Sequence, residues 1–504
     1  MGEVTGTRGA VWGTPTARGI LATTVLGSGM AMLDGTIVNV ALPRIGAELS
    51  ASVAGLQWIL DGYLLALAAL ILVAGALGDR YGRRRVFVVG VIWFGVASAL
   101  CGAAVSTEML VVTRILQGVG GALLTPGSLA ILQSSFDRSD RARAIGAWSG
   151  LGGIATAIGP LFGGLLVELW SWRLAFLINV PLAGLCVWMA RRYVPESRDP
   201  ERHGRPDVFS SALGAVGLAG ITAALVEAPV RGVGDPLVLA AAALGIAGLA
   251  MFVRSQRRSA DPLVPPQLFH DRTFVLANGL TFVVYAALGG VLMLLVLQLQ
   301  VSLGYSPTAA GLAGLPITVL MLLLSGRSGK LAQRIGPRLQ LTVGPMLLAV
   351  GVLLLTRVVP GASYPGSVLP AVLVFGLGLA VVVAPVTATV LAAAPDAHVG
   401  AASGVNNAVA RSGSLLAIAL LPAVAGLTGA AYSDPESLTH GWRVALWVCA
   451  GLAAAGGLLG AATRNGVFAC GGADTGSENP LPGECLHCDV EGTPTHIRSR
   501  GSVD

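Results

Sequence analysis

The sequence predicts an all-α integral membrane protein that crosses the bilayer fourteen times. Three observations support this class. The 504 residues are 54% hydrophobic and only 12% charged, long apolar stretches recur along the chain, and the positive charges lie in the short connections between those stretches. A soluble protein of this length needs far more charge to cover its surface. The apolar stretches are continuous rather than alternating, which excludes a membrane β-barrel.

Each spanning helix is predicted from a stretch of mostly apolar residues long enough to cross the hydrocarbon core, which takes about 17–25 residues. The first seven are Gly19–Ala41, Gly55–Leu77, Val86–Val105, Met109–Ile131, Ala144–Val167, Leu174–Ala190 and Val208–Val226. The second seven are Leu237–Val253, Thr273–Leu299, Pro307–Gly326, Leu339–Thr356, Ser367–Ala394, Val399–Thr428 and Val444–Ala462. The 69 glycines fit this class, because small residues let helices pack closely inside a membrane.

The arginine distribution predicts which ends of the helices face the cytoplasm. The connections after helices two, four, six, eight and ten carry three to five Lys or Arg residues each, and those at the opposite end carry at most one. The connection after helix twelve, with only His398, is an exception. We call the two ends the arginine-rich end and the arginine-poor end. Positive loops stay in the cytoplasm, so both termini are expected there.

Composition also bears on partners and location. The net charge of +6 comes almost wholly from arginine, since Lys330 is the only lysine. Because the arginines lie between apolar stretches, they favour a protein oriented in a lipid bilayer over one that binds nucleic acid. The bias towards arginine is typical of a GC-rich bacterial genome, so we expect the bacterial inner (plasma) membrane.

Two long connections divide the chain into two six-helix bundles with an inserted pair of helices. The predicted segments are a cytoplasmic N-terminal segment (1–18), the first bundle (19–190), a cytoplasmic linker (191–207), the inserted helices seven and eight (208–253), a second linker (254–272), the second bundle (273–463) and a cytoplasmic, disordered tail (464–504). A repeat supports the two bundles: Gly75–Arg84 after helix two recurs as Gly329–Arg338 after helix ten. Many secondary transporters are built from such repeats, with the binding site between the halves.

Five motifs follow one another at spacings that fit the predicted helices. They are Leu33–Pro43 in helix one, Gly75–Arg85 after helix two, Leu110–Gly121 in helix four, Gly152–Gly164 in helix five and Trp170–Pro181 at the start of helix six. Together they resemble the major facilitator superfamily, and specifically its fourteen-span drug/proton antiporter family, over most of the chain. The resemblance implies a major facilitator fold and proton-coupled export of lipophilic drugs or antibiotics by a monomer. It also implies energy from the proton gradient, with no cofactor.

Four charged side chains lie inside the predicted spans: Asp34, Asp61, Arg114 and Arg411. Each costs about 2.5–3.5 kcal/mol at a helix centre, so each requires a reason. Asp34, Asp61 and Arg114 lie at similar depths below the arginine-poor end, which makes them a candidate proton-coupling cluster. We expect Asp34 to be the main coupling carboxylate, with Arg114 tuning it. The alternatives are a fixed Asp34–Arg114 pair that only joins helices, and an Asp61 that faces a wet cavity.

Candidate substrate contacts are Trp58 and Tyr63 in helix two, with Asn406 and Arg411 in helix thirteen. Arg411 is expected to contact an acidic or carbonyl-bearing substrate, or else backbone carbonyls. Asn406 and Asn407 differ by about 100° around the helix, so we expect only one of them to face a substrate. Further candidate lining residues are Phe282, Tyr285 and Gln298. Helix ten lacks the acids of some cation-exporting relatives, which argues against a multiply charged cation as substrate.

Two further sets of residues take their roles from the resemblance. The loop after helix two is implied to be a charge relay that stabilises one access state, and its residues are Gly75, Asp79, Arg80, Gly82, Arg83 and Arg84. The alternative is that these arginines only fix orientation. In the repeat Gln333 replaces Asp79, so that gate is expected to be weaker. The antiporter motif of helix five comprises Gly152, Gly159, Pro160, Gly163 and Gly164, with generic helix packing as its alternative.

Other function classes have less support. A membrane enzyme is not expected, because all six histidines lie outside the predicted spans and no nucleophile–base pair is evident in the sequence. The segment Gly326–Leu331 lacks the spacing of a phosphate-binding loop. The tail has Cys470, Cys485, His487, Cys488 and His496, a weak pattern from which we predict no metal site. The main alternative function is proton-linked transport of an endogenous metabolite.

Overall fold

The computed structural model describes residues 10–198, 207–259, 262–395, 398–427, 432 and 434–465. These residues form helices joined by turns, and among them there is no β-strand beyond a single bridge between Ala10 and Phe136. Residues 1–9, the middle of the first linker and the tail from residue 466 lie outside the described residues.

Fourteen helices in the described part are long and apolar enough to cross a membrane, which confirms the predicted class of multi-pass all-α membrane protein. They run Pro15–Leu49, Val53–Tyr81, Arg83–Gly102, Thr107–Ser135, Arg143–Leu169, Arg173–Tyr193, Phe209–Arg231, Pro236–Arg258, Arg272–Ser302, Pro307–Ile335, Arg338–Leu355, Tyr364–Ala392, Val399–Val424 and Pro435–Ala461. Helix six is interrupted between Leu177 and Asn179, and helix ten between Ala313 and Leu315.

Several helices extend beyond their apolar stretches. Helix one is predicted to end at Ala41 but continues to Leu49, with Pro43 inside it. Proline removes one backbone donor and bends a helix without always ending it. The helix ends at Ser50, whose φ of 50° is left-handed and whose N–H donates to the Gly46 carbonyl.

Helix fourteen begins at Pro435 rather than at the predicted Val444. Asp434 caps it by accepting a hydrogen bond from the Ser437 N–H at 2.8 Å. Hydrogen bonding by Ser437 lowers the pKa of the Asp434 carboxyl below its ordinary value. His440, expected outside the spans, therefore lies within this helix, because capping extends the helix into a polar segment that hydropathy does not detect.

The helices pack in three groups. Helices one to six pack chiefly among themselves, helices seven and eight pack against each other, and helices nine to fourteen form a third group. Helix seven also contacts helices two and thirteen. The first and third groups meet where helix two packs on helix thirteen and helix five packs on helix ten. The segment boundaries drawn from the sequence stay predictions.

Glycine permits the closest of these contacts. In the inserted pair, a Cβ placed on Gly220 would lie 2.6 Å from the Gly245 nitrogen, and a Cβ on Gly248 would lie 2.8 Å from the Gly217 nitrogen. In helix fourteen, a Cβ on Gly460 would overlap the backbone carbonyl of Leu341 in helix eleven. Only a residue without a side chain allows backbones to approach this closely.

Helix fourteen offers a matched test of this packing. Gly460→Ala is expected to lower the free energy of unfolding by about 1–3 kcal/mol, because the backbones must separate. Gly451→Ala, in the same helix, meets nothing within 4 Å and is expected to be neutral or stabilising. Thermal melting of the two purified variants in detergent is the measurement. Equal melting temperatures would contradict the close contact at Gly460.

Candidate functional site

Asp34 and Arg114 form an ion pair inside the first bundle. Asp34, on helix one, is 0% exposed, and Arg114, on helix four, is 1% exposed. Arg114 Nη1 donates to Asp34 Oδ2 at 2.5 Å. The other carboxylate oxygen accepts from Gln117 Nε2 at 2.8 Å and from Asn179 Nδ2 at 3.5 Å. Gln117 reaches the same carboxylate as Arg114 because residues three apart share a helix face.

Further hydrogen bonds hold the three donors in place. Arg114 donates through Nη1 to Gln117 Oε1 at 2.6 Å and through Nε to the Ile59 carbonyl at 3.0 Å. Gln117 Nε2 and Asn179 Nδ2 both donate to Ser98 Oγ, at 2.6 and 3.3 Å. A buried ion pair is tolerable only when its remaining donors and acceptors are satisfied in this way.

Tyr63, predicted as a substrate contact, stacks on this pair. The Arg114 guanidinium lies 4.4 Å from the centroid of the Tyr63 ring and 5.7 Å from that of Phe176. The Tyr63 hydroxyl donates to the Ala31 carbonyl at 3.4 Å. Cation–π contacts of this kind stabilise a guanidinium removed from water. Tyr63 therefore contributes to the environment of Arg114.

Sequence reasoning gave no role to three polar members of this network, Ser98, Gln117 and Asn179. All three are buried within spanning helices, on helices three, four and six. Gln117 and Asn179 lie in the motifs of helices four and six, whereas Ser98 had only the weak signal of an uncharged polar residue inside an apolar stretch. Their pairing depends on helices that are distant in sequence.

Asp61 lies apart from the Asp34–Arg114 pair. It is fully buried on helix two, and neither carboxyl oxygen has a hydrogen-bond partner among the described residues. Tyr432, between helices thirteen and fourteen, interacts electrostatically with Asp61, and its hydroxyl is also unpartnered in that part of the chain. Burial, and to a lesser degree Asp61, raises the pKa of the Tyr432 hydroxyl well above its ordinary value. Of the three residues predicted to cluster, the structure thus brings Asp34 and Arg114 into contact.

Trp58 faces the inserted helices. Its indole N–H donates to Glu227 Oε1 of helix seven at 3.2 Å, and Glu227 Oε2 accepts from Arg231 Nε at 3.0 Å. Glu227 was missed because the predicted helix seven ends one residue earlier, whereas the observed helix continues to Arg231.

Gln298, another predicted lining residue, is buried and donates to the Val358 carbonyl at 3.0 Å.

Helix thirteen presents two different polar faces. Asn406 is buried and donates to Asn278 Oδ1 at 3.2 Å and Thr281 Oγ1 at 2.9 Å, both on helix nine. Asn407 is exposed, and its side chain donates to the Ser403 carbonyl of its own helix at 3.1 Å. Arg411 is half-buried on the side of Asn407. Asn406 therefore joins helices, and Asn407 is on the accessible side.

The loop after helix two is a one-residue turn at Gly82. Helix two ends at Tyr81, the next helix begins at Arg83, and Gly82 between them has a left-handed φ of 112°, which favours glycine. Asp79 accepts from Arg83 Nε at 3.0 Å and Nη2 at 2.9 Å. The Arg80 guanidinium lies 5.3 Å from the centroid of the Tyr81 ring.

Glu196, in the linker after helix six, binds this loop and was not predicted. Its Oε1 accepts from the Arg84 N–H at 3.1 Å, and its Oε2 lies 3.7 Å from the Nε atoms of both Arg84 and Arg85. Arg84 Nη1 also donates to the Val194 carbonyl at 3.1 Å. Gly75, the first residue of the loop motif, is in helix two and faces helix four. A Cβ on Gly75 would lie 4.0 Å from Pro126 of helix four.

The repeated loop after helix ten also has a left-handed glycine and a side chain that accepts from a backbone N–H, but that side chain is not charged. Gly336 has a left-handed φ of 86°, and the Arg338 N–H donates to Asn465 Oδ1 at 3.2 Å. Asn465 follows helix fourteen as Glu196 follows helix six. An amide thus replaces the carboxylate here, and the exposed Gln333 replaces Asp79.

The glycines of helix five lie against helices one and ten. A Cβ on Gly163 would be 2.9 Å from Ile37, and a Cβ on Gly164 would be 2.6 Å from the Thr308 Cα of helix ten. Gly159 faces Thr36, Gly152 faces Met32, and the Pro160 carbonyl lies against Gly311. The motif therefore connects the helix that bears Asp34 with the second bundle.

Comparisons with known proteins agree on the kind of protein. The sequence profile of the Major Facilitator Superfamily matches residues 24–418 and 280–466. The chain is 36% identical over 443 residues to the puromycin resistance protein pur8 of Streptomyces alboniger, a match that covers 84% of this chain and 86% of that protein. It is 36% identical over 409 residues to the multidrug efflux pump LfrA of Mycolicibacterium smegmatis, covering 80% of this chain and 79% of that protein.

Among solved structures, the fold is similar to a POT family transporter in complex with 5-aminolevulinic acid. The TM-score is 0.66, and the match covers 88% of this chain and 96% of that one. The two sequences are 14% identical, so the likeness concerns the fold alone.

The buried ion pair predicts a strong coupling between its two residues. Arg114→Met leaves the Asp34 carboxylate buried without a counter-charge and is expected to cost about 3–5 kcal/mol, as is Asp34→Asn. The double variant should be more stable than the sum of the two losses implies, by more than about 1 kcal/mol. The free energy of unfolding in detergent, measured for all four proteins of the cycle, tests this. Additive losses would mean that the two side chains do not interact.

Proposed function

The chain belongs to the Major Facilitator Superfamily, and from that membership we propose that it exports small lipophilic drugs or antibiotics in exchange for protons. The names of its relatives, a puromycin resistance protein and a multidrug efflux pump, support drugs as the substrates. We place the protein in the bacterial plasma membrane with both termini in the cytoplasm, since the arginine-rich end faces that side under the positive-inside rule. It works as a monomer in the lipid bilayer, without a cofactor or nucleic acid.

The observation that carries proton coupling is the buried Asp34–Arg114 pair. Protonation of Asp34 removes its negative charge and releases Arg114 from its partner. Breaking a buried pair costs about 3–5 kcal/mol. One proton moving down 100 mV supplies about 2.3 kcal/mol, and each pH unit adds about 1.4 kcal/mol. The free energy that a proton gradient supplies is therefore comparable with the cost of breaking the Asp34–Arg114 pair.

Helix five transmits such a switch to the other bundle. Thr36 and Ile37, close to Asp34 on helix one, pack on Gly159 and Gly163. The next glycine, Gly164, packs on helix ten of the second bundle. If protonation of Asp34 shifts helix one, helix five shifts with it, and the packing between helix five and helix ten changes.

The proposal includes alternating access, and contacts that close the arginine-poor end support it. Gln57 donates to the carbonyls of Ile418 and Ala419, at 2.9 and 3.0 Å. The Thr308 N–H donates to Glu168 Oε2 at 3.0 Å. Each bond joins one bundle to the other and must break for this end to open. In the opposite state the charged loop at Asp79 and Glu196 holds the arginine-rich end, which makes it the second gate.

Asp61 is the second proton site in this proposal. An ionised carboxylate buried without a counter-charge costs several kcal/mol, whereas the neutral acid needs only hydrogen bonds. In the described part of the chain Asp61 has no counter-charge. The neutral Tyr432 hydroxyl is a suitable hydrogen-bond donor when Asp61 releases its proton.

Asp34→Asn is expected to lower gradient-driven export at least tenfold, because an amide cannot gain and lose the proton. Dye efflux from proteoliposomes under an imposed pH gradient is the measurement, with binding of the same dye as a check on folding. Glu436→Gln, which removes an exposed acid in helix fourteen, is the matched control and should export normally. Full proton-driven export by Asp34→Asn would remove Asp34 from the coupling step.

Expression in a pump-deficient bacterial host is expected to raise the resistance to at least one lipophilic antibiotic several-fold. A proton uncoupler should restore accumulation of that compound in the cells. Minimum inhibitory concentrations and accumulation, compared with a host that expresses Asp34→Asn, test this. Lower cellular accumulation that persists with the uncoupler would exclude a proton-driven exporter.

A further inference from the structure

Arg411 is a membrane-embedded cation without an anion. In the described part of the chain it has no hydrogen bond and no ion pair, whereas Arg114 is bound to Asp34, Gln117 and a backbone carbonyl. A charge inside a spanning helix is retained only where something compensates it. The structure supplies this compensation for Arg114 and leaves Arg411 able to accept an anion.

The helix places Arg411 between the two bundles. Residues four apart on a helix lie about 40° from one another, so Arg411 shares a face with the exposed Asn407. Gly404, two turns before Arg411, is on this face too, and a Cβ there would meet Leu72 of helix two. The opposite face is occupied, since Asn406 binds helix nine and Gly413 packs on the Phe282 carbonyl.

Helix two of the first bundle and helix nine of the second both lie beside helix thirteen, which bears Arg411. Arg411 interacts electrostatically with Tyr63 of helix two and Tyr285 of helix nine. Helix nine is held next to Arg411 by the Ser414 hydroxyl, which donates to the Tyr285 carbonyl at 3.0 Å. The Tyr63 ring also stacks on Arg114.

We propose that Arg411 binds the anionic group of the exported substrate, and that this substrate is a lipophilic weak acid such as a carboxylate or an ionised phenol. The guanidinium fork matches a carboxylate with two parallel hydrogen bonds. The Asp34–Arg114 pair is neutral as a whole, so the space beside Arg411 keeps a positive charge that repels cations. This inference rests on the proposed export function and names its substrate class.

The charge of the substrate has a consequence for the energy of transport. Exchange of one anion for one proton moves two positive charges towards the cytoplasm per cycle. Exchange of a neutral substrate for one proton moves one. A membrane potential that is negative inside therefore drives export of the anion with twice the electrical force.

Equilibrium binding of three pyrene probes tests the site. The full-length protein in nanodiscs is titrated with 1-pyrenebutanoate, 1-pyrenebutanol and 1-pyrenemethylamine, with empty nanodiscs subtracted. The wild-type protein is expected to bind the butanoate at least tenfold more tightly than the butanol, and the amine most weakly. Arg411→Gln should bring the butanoate and the butanol within twofold of each other. Arg357→Gln, which removes an exposed arginine at the arginine-poor end, should leave the tenfold ratio unchanged.

Two further measurements keep the result decisive. If Arg411→Gln does not fold, Arg411→Lys keeps the charge but loses the fork, and its butanoate-to-butanol ratio should fall to between two- and fivefold. A wild-type protein without an anion preference, or a tenfold preference that survives in Arg411→Gln or Arg411→Lys, would overturn the assignment. Gradient-driven transport of the probes is measured separately. Transport without an anion preference rejects only the Arg411 site, whereas anion binding without gradient-driven transport rejects only the exporter.

Discussion

The ion pair between Asp34 and Arg114 is the interaction on which the first bundle depends. Its two charges lie inside helices that cross a membrane, where water cannot compensate them. The surrounding side chains from helices three, four and six replace that water with fixed hydrogen bonds. A site of this kind is stable in one protonation state and strained in the other, which is the property that an exchanger of protons requires.

Close packing gives this local change an effect at a distance. Helix five has glycine both where it meets helix one and where it meets helix ten, so its backbone packs directly on the side chains of Thr36 and Ile37 and on the backbone at Thr308. Closely packed contacts have few intermediate arrangements, and a small shift on one side changes the contact on the other. The hydrogen bonds from Gln57 to helix thirteen and from Thr308 to Glu168 lie across the same boundary. Close packing therefore connects the Asp34–Arg114 pair with the closed end of the molecule, which supports the proposed coupling.

The spans and the charged candidates were predictable from the sequence because each depends on local composition. An apolar stretch of sufficient length predicts a spanning helix, and an Asp or Arg within it is costly enough to be noticed. Helix ends were less predictable, because Pro43 lies inside helix one and Asp434 extends helix fourteen into a polar segment. The contacts of Glu227 and Glu196 were not predictable, because each depends on where a distant helix or linker lies.

The two halves of the repeat differ in a way that assigns them different tasks. The first bundle contains the Asp34–Arg114 pair, Asp61 and a loop held by Glu196, whereas the second has Asn465 at the corresponding loop. In helix thirteen, Asn406 forms neutral hydrogen bonds and Arg411 has no carboxylate beside it among the described residues. We therefore propose that proton exchange belongs to the first bundle and recognition of an anionic group to the second. Tyr63 stacks on Arg114 and interacts electrostatically with Arg411, which makes it our proposed link between the two sites.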